Sequence, residues 1–212
     1  MEKRAAIKII TSCAKSYKNN LENKNLLFIF GDLQTPEYFE ASFFPRNFLH
    51  LTGIKLVESR ISSSKDFYNR CLNGKLSPND FNMAQNGTTD MKLSVLPQLM
   101  NLYLSAKMVG DYDNIKSVLY TEKIAGNIYA SIGFIQENGY YIPNTALRED
   151  IRDITIRPQK RVLVIFRKDI KQKLYETICY TAKKVNILQL NLSESLLQKI
   201  ILKMSRFTIK SR

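Results

Sequence analysis

GNIYASIGFIQENGYYIPNTAL, Gly126 to Leu147, holds a two-residue turn between two runs rich in Ile, Phe and Tyr. Asn138-Gly139 supplies the residue pair that tolerates the left-handed backbone of a tight hairpin. Asn127–Gln136 and Tyr140–Pro143 therefore read as paired antiparallel strands. Outward from this hairpin, Ser117–Lys123 reads as a strand set off by Gly126, and Lys160–Lys168 as another. Leu174–Ala182 alternates Leu174, Glu176, Ile178 and Tyr180, a further strand. The first half is different. Ala6, Ile9, Ile10, Cys13 and Tyr17 recur at helical spacing in Glu2–Asn20. Strands are expected at Leu26–Phe30 and Tyr38–Phe44, the latter closed by Pro45, and a helix at Ser64–Asn73 before Gly74. Ser77-Pro78-Asn79-Asp80 reads as the start of a short helix. Asn86-Gly87-Thr88-Thr89 leads into a longer one, Met91–Met108, bent or restarted near Pro97. A final helix, Ser193–Met204, follows a serine cap. The pattern is α+β: amino-terminal helices packed on an antiparallel sheet formed mainly by the second half, in one domain spanning 1–212.

Composition bounds the function. With 212 residues, 44% hydrophobic and 24% charged, the chain can bury one sizeable core. No apolar run approaches the roughly 20 residues that cross a bilayer. The amino terminus, MEKRAAIKIITS, lacks the apolar block of a signal peptide, so an intracellular protein is expected. Cys13, Cys71 and Cys179 are far apart and odd in number, which argues against a disulfide framework or a zinc site. Net charge is +13, from 32 basic and 19 acidic residues. Arg157–Arg212 holds 14 of the basic residues and three acidic ones, a local net of +11. Such a one-sided field attracts polyanions, nucleic acid first among them; the plainer account is a solvated lysine-rich surface.

Phosphate-loop, dinucleotide-binding, serine-hydrolase and HExxH motifs are all missing. Asp150 and Asp153 lie one helical turn apart and could hold Mg²⁺, but the arginines between and beside them favour intrahelical ion pairs. What remains is the single histidine, His50, in RNFLHLTGI (Arg46–Ile54), and polar residues at turns beside strands: Arg46, Thr52, Lys123, Asn127, Asn144, Thr145, Arg148 and Lys168. Each has a plain reading. His50 packs as a satisfied core imidazole, Asn144-Thr145 cap a helix, Asn127 forms a turn, and Lys123 and Lys168 end strands in solvent.

The strings RNFLHLTGI, FYNRCLNGKLSPNDF, the Gly87-Thr88-Thr89 helix start with Lys92, GNIYASIGF and YYIPNTALREDI together resemble a phage-associated group of the barnase/EndoU/colicin/RelE-like nuclease superfamily. The resemblance covers about 43–184, leaving out the amino-terminal helix and the basic carboxy-terminal helix. It implies a barnase/RelE-like fold and metal-independent, cofactor-free RNA cleavage, in which a ribose 2′-hydroxyl attacks the adjacent phosphate to leave a cyclic phosphate. It further implies a toxin-like role in a phage or mobile element, acting on RNA (a tRNA or mRNA) in the cytoplasm of a bacterial host. The partners would be an antitoxin or host protein, and no membrane is involved. Carried onto these residues, His50 is general acid or base, Arg46 and Lys123 stabilise the phosphorane, and Thr52 orients ring or phosphate. One histidine excludes a two-imidazole mechanism, so Tyr141, Tyr129, Lys123 or a carboxylate must partner it. Asn127, Asn144, Thr145, Arg148 and Lys168 are the expected substrate contacts. His50 is expected at the end of a short helix or turn after Pro45, anchored by Leu49 and Leu51. Its ring would face Tyr120, Lys123, Tyr129 and Tyr141, its pKa lowered by Arg46 or Lys123. The competing class is a non-catalytic basic protein that binds nucleic acid or an anionic host protein, for example an inhibitor of host defence.

Overall fold

A computed structural model describes residues 1–113, 120–156 and 158–201. The first half runs α1 (Lys3–Asn20), β1 (Lys24–Phe30), β2 (Glu37–Phe43), α2 (Phe48–Thr52), β3 (Lys55–Leu56), α3 (Ser64–Leu72), β4 (Phe81–Asn82), α4 (Thr88–Leu99) and α5 (Leu102–Ser105). The second half runs β5 (Met108–Asp111), β6 (Lys123–Gly126), β7 (Ser131–Glu137), β8 (Tyr140–Leu147), α6 (Ile151–Ile154), β9 (Lys160–Asp169), β10 (Thr177–Thr181) and α7 (Glu194–Leu197).

One large sheet has the order β1-β2-β8-β7-β6-β5-β9-β10, and β1 also pairs with β9, so the sheet curls back on itself. All its pairings are antiparallel except β2 with β8, which meet at one parallel bridge, Ala41 to Tyr141. The expected α+β architecture is what forms, and six of these eight strands come from the second half. The Asn138-Gly139 hairpin is present, both residues having positive φ (51° and 83°) between β7 and β8.

Burial explains the sequence pattern of each layer. Ala6, Ile10, Cys13, Ala14 and Tyr17 of α1 pack into the main core with Leu26, Phe28 and Phe30 of β1. The other face of β1, Leu27 and Ile29, is covered by Tyr175, Leu190, Leu192, Leu196 and Ile200. With both faces covered, β1 can be an unbroken apolar run instead of an alternating one.

The structure redraws several of the expected elements. Ser77–Asp80 opens no helix: the buried Asp80 carboxylate accepts from Ser77 N at 2.8 Å, which closes a turn, and Phe81 enters β4. The Met91–Met108 helix is α4 and α5 with a break at Met100–Asn101, and Met108 pairs with Gly126 as part of β5. Asn144 and Thr145 cap nothing, because they lie within β8 and Asp150 caps α6. Helix α7 stops at Leu197, and the expected span beyond Ile201 lies outside the described residues. Of the expected Ser117–Lys123 strand, residues 117–119 also lie outside them, Tyr120, Thr121 and Glu122 are not in a strand, and β6 starts at Lys123.

Candidate active-site groove

Helix α2 is only five residues long, so packing holds it in place. Phe48, Leu51 and Thr52 bury one face at i, i+3 and i+4. Phe48 lies 5.3 Å from both Tyr17 and Tyr68 and 6.2 Å from Phe67, ring centre to ring centre, locking α2 against α1 and α3. The anchors are therefore Phe48 and Leu51; Leu49 is only half-buried. With Phe48 and Leu51 turned inward, His50 is left exposed.

His50 lines an open groove of about 1210 Å³. Leu49, Ile54, Leu56, Ile61 and Met83 give it apolar surface; Lys55, Glu58, Asn82, Gln85, Asn86, Thr88, Lys92 and Asn144 give it polar groups. Among the described residues no protein group hydrogen-bonds the imidazole, and the core-histidine reading fails with it. Lys92 reaches across from α4, donating from Nζ to the His50 carbonyl oxygen at 3.1 Å. Its stem crosses Gly53, where a Cβ would come within 2.8 Å of Lys92 Cδ. Gly53 ends α2 at φ 70°, a left-handed conformation that glycine adopts freely. Thr89, buried in the first turn of α4, donates to Gly53 O (2.7 Å) and accepts from Ala84 N (2.8 Å), tying both walls of the groove together.

The electrostatics follow from this packing. Partial desolvation lowers the His50 pKa first, and the Lys92 charge lowers it further. Burial likewise lowers the Lys92 pKa. The expected direction for His50 holds, but its causes are burial and Lys92, not Arg46 or Lys123.

The other expected residues separate. Arg46 pairs with Glu137 and lies 5.3 Å over the Phe44 ring. Lys123 pairs with Asp111, and Tyr141 packs edge-on to Phe39; none of the three lines the groove. Thr52 is fully buried and donates to Leu49 O at 2.7 Å, so its hydroxyl ends the helix. Asn127 closes the β6–β7 turn by accepting from Tyr129 N and Ala130 N. Thr145 is buried in β8 and Arg148 is exposed beyond it. Lys168 is bound to Lys173 O at 2.8 Å and covers the Tyr175 ring. Of all the expected contacts, only Asn144 shares the groove with His50. Tyr129, placed facing the ring, is instead exposed at the β6–β7 turn. Asp150 accepts from Arg152, both from its backbone and in an ion pair at 2.6 Å. Among the described residues no three His, Cys, Asp or Glu side chains group as a metal site.

A family profile described as phage-Barnase-EndoU-ColicinE5/D-RelE like nuclease4 matches residues 9–184. The chain belongs to this family. The match begins well before Phe43, so most of α1, with β1 and β2, is part of the phage-Barnase-EndoU-ColicinE5/D-RelE like nuclease4 unit. It ends at Lys184, before Leu190, Leu192, Leu196 and Ile200, which with Tyr175 cover the outer face of β1. No curated protein and no solved structure matches the chain. Among the described residues no helix is long and apolar enough to cross a membrane.

Proposed function

We propose that the groove is the active site of a metal-independent endoribonuclease in which His50 is the general base. The observation that carries this is an exposed imidazole in a groove, without a hydrogen bond among the described residues, and with a lysine from another helix fastened to its own backbone. Membership of a nuclease-like family supports it. A neutral imidazole takes the proton of a ribose 2′-hydroxyl as that oxygen attacks the neighbouring phosphorus. The bond to the 5′-oxygen breaks, giving a 2′,3′-cyclic phosphate and a free 5′-hydroxyl. Lys92 sits where extra negative charge on the phosphate is stabilised. Its ammonium, made more acidic by burial, is the proton donor offered to the leaving oxygen. A phage or mobile-element toxin acting on cellular RNA is the setting that fits this chemistry, with an antitoxin or host protein as its natural restraint.

Incubation of the purified protein with total RNA in EDTA tests the reading. Wild type is expected to cut, and His50→Ala to lose about 10²-fold or more of the rate. His50→Gln keeps hydrogen-bonding capacity but cannot shuttle a proton. A folded glutamine variant that cuts at the wild-type rate would remove His50 from the chemistry. Cleavage lost in EDTA and restored by Mg²⁺ would instead promote Asp150 and Asp153.

A further inference from the structure

Asn144 sits at a register shift between β7 and β8, where Gly133 faces Thr145 and Phe134 faces Pro143, so Asn144 is the extra residue of a bulge. Bulges re-aim side chains. Here the re-aimed amide reaches across β7 to the chain just before β6: Nδ2 donates to Tyr120 O at 2.6 Å, and Oδ1 accepts from Thr121 Oγ1 at 3.2 Å. Thr121 is fully buried and lies so close over β7 that a Cβ on Gly133 would meet its Cγ2 at 2.8 Å. Tyr120 is consequently fixed at its backbone, beside a groove residue. Its hydroxyl also reaches the Glu122 carboxylate at 3.4 Å. Yet the residue is 72% exposed, the most exposed of the large apolar and aromatic residues described. Single surface aromatics are common. One held at both ends, next to a groove that carries Lys55 and Lys92, is pre-organised for a flat partner.

We infer that Tyr120 is a stacking platform for an unpaired nucleobase flanking the bond held at His50, and that Asn144 is the positioning residue that sets it. This rests on the groove being a nucleic-acid site, and it commits the substrate to single-stranded RNA. A base inside a duplex is already stacked on both faces and cannot reach the ring, whereas a splayed base in a loop or end can. Asn144, with its amide oxygen and one N–H already occupied, acts through Tyr120 and not on the RNA.

Binding of a fluorescent 2′-O-methyl oligoribonucleotide, read by anisotropy, is the test. That ligand has no attackable hydroxyl, so the result is independent of whether His50 cuts. Tyr120→Ala should weaken single-strand binding by about 5- to 150-fold, the range of base–aromatic stacking, while Tyr120→Phe keeps it. Asn144→Ala should weaken binding too, and add nothing when combined with Tyr120→Ala. Duplex RNA of the same length should bind all variants alike. Should Tyr120→Ala unfold, Tyr120→Leu against Tyr120→Phe gives the same comparison with bulk retained. Single-strand affinity unchanged without the ring, or an equal loss on duplex, overturns the platform. Additive losses for Asn144 and Tyr120 overturn the positioning role.

Discussion

A single histidine makes its own titration readable. His50 has its pKa lowered from 6.5 by burial and then by the Lys92 charge. The sign follows directly: the folded state holds the proton less tightly than the unfolded chain. The resulting contribution to stability is complete above 6.5 and is lost as pH falls through the lowered value. The same shift keeps the imidazole neutral, and so competent as a base, further into acid. Lys92→Met retains most of the stem over Gly53 and removes the charge. The imidazole resonance of this variant is expected to titrate at higher pH than in wild type, and the acid limb of the cleavage profile to move up with it. An unchanged midpoint would mean that burial alone sets the value and that Lys92 does not act on the ring.

At the scale of elements, the site depends on how α2 is terminated. Gly53→Ala puts a side chain at φ 70° and within 2.8 Å of Lys92 Cδ. The left-handed backbone alone costs about 1–2 kcal/mol, and the displaced lysine loses its bond to the His50 carbonyl. Thermal melting should fall, and the His50 titration should drift toward that of Lys92→Met. A variant that melts lower with an unmoved imidazole would separate the cap from the electrostatics. The elements themselves were largely legible. The β7–β8 hairpin followed from Asn138-Gly139, and α1 from its buried stripe. The composition of the site was not. His50 stood out as the sole imidazole, but Lys92 is 42 residues away in sequence, and nothing in local spacing says that its stem crosses Gly53. Lys55 and Asn82 come from two-residue strands too short to leave a period. Arg46 and Lys123 are drawn away from the groove by carboxylates, Glu137 and Asp111, that arrive from other strands and leave no mark in the local spacing. Asn144 lines the groove for a reason the sequence hides, the bulge that turns its amide toward Tyr120.

Across the whole molecule, the uneven charge of the sequence is partly taken up by the fold. Lys160 and Lys199, from the basic last quarter, pair with Glu37 and Glu40 of β2. Arg167 stacks 4.6 Å from the Tyr103 ring and donates to Asn20 O, and Lys168 covers Tyr175. These cations hold β9 and the carboxy-terminal segment to the sheet, so replacing them would report on packing as much as on ligand binding. Lys171 and Lys173 are different: both are exposed. Their joint replacement by Gln should leave the melting temperature near that of wild type. It should reduce the salt dependence of single-stranded RNA binding by about 0.7 log units per lost phosphate contact. Binding measured from low to moderate salt gives that slope directly. A flatter slope with unchanged folding would extend the RNA footprint from the groove to the β9–β10 connection. An unchanged slope would confine the phosphate contacts to cations elsewhere, Lys55 and Lys92 first, and leave the basic end as the clasp that its ion pairs to β2 already make it.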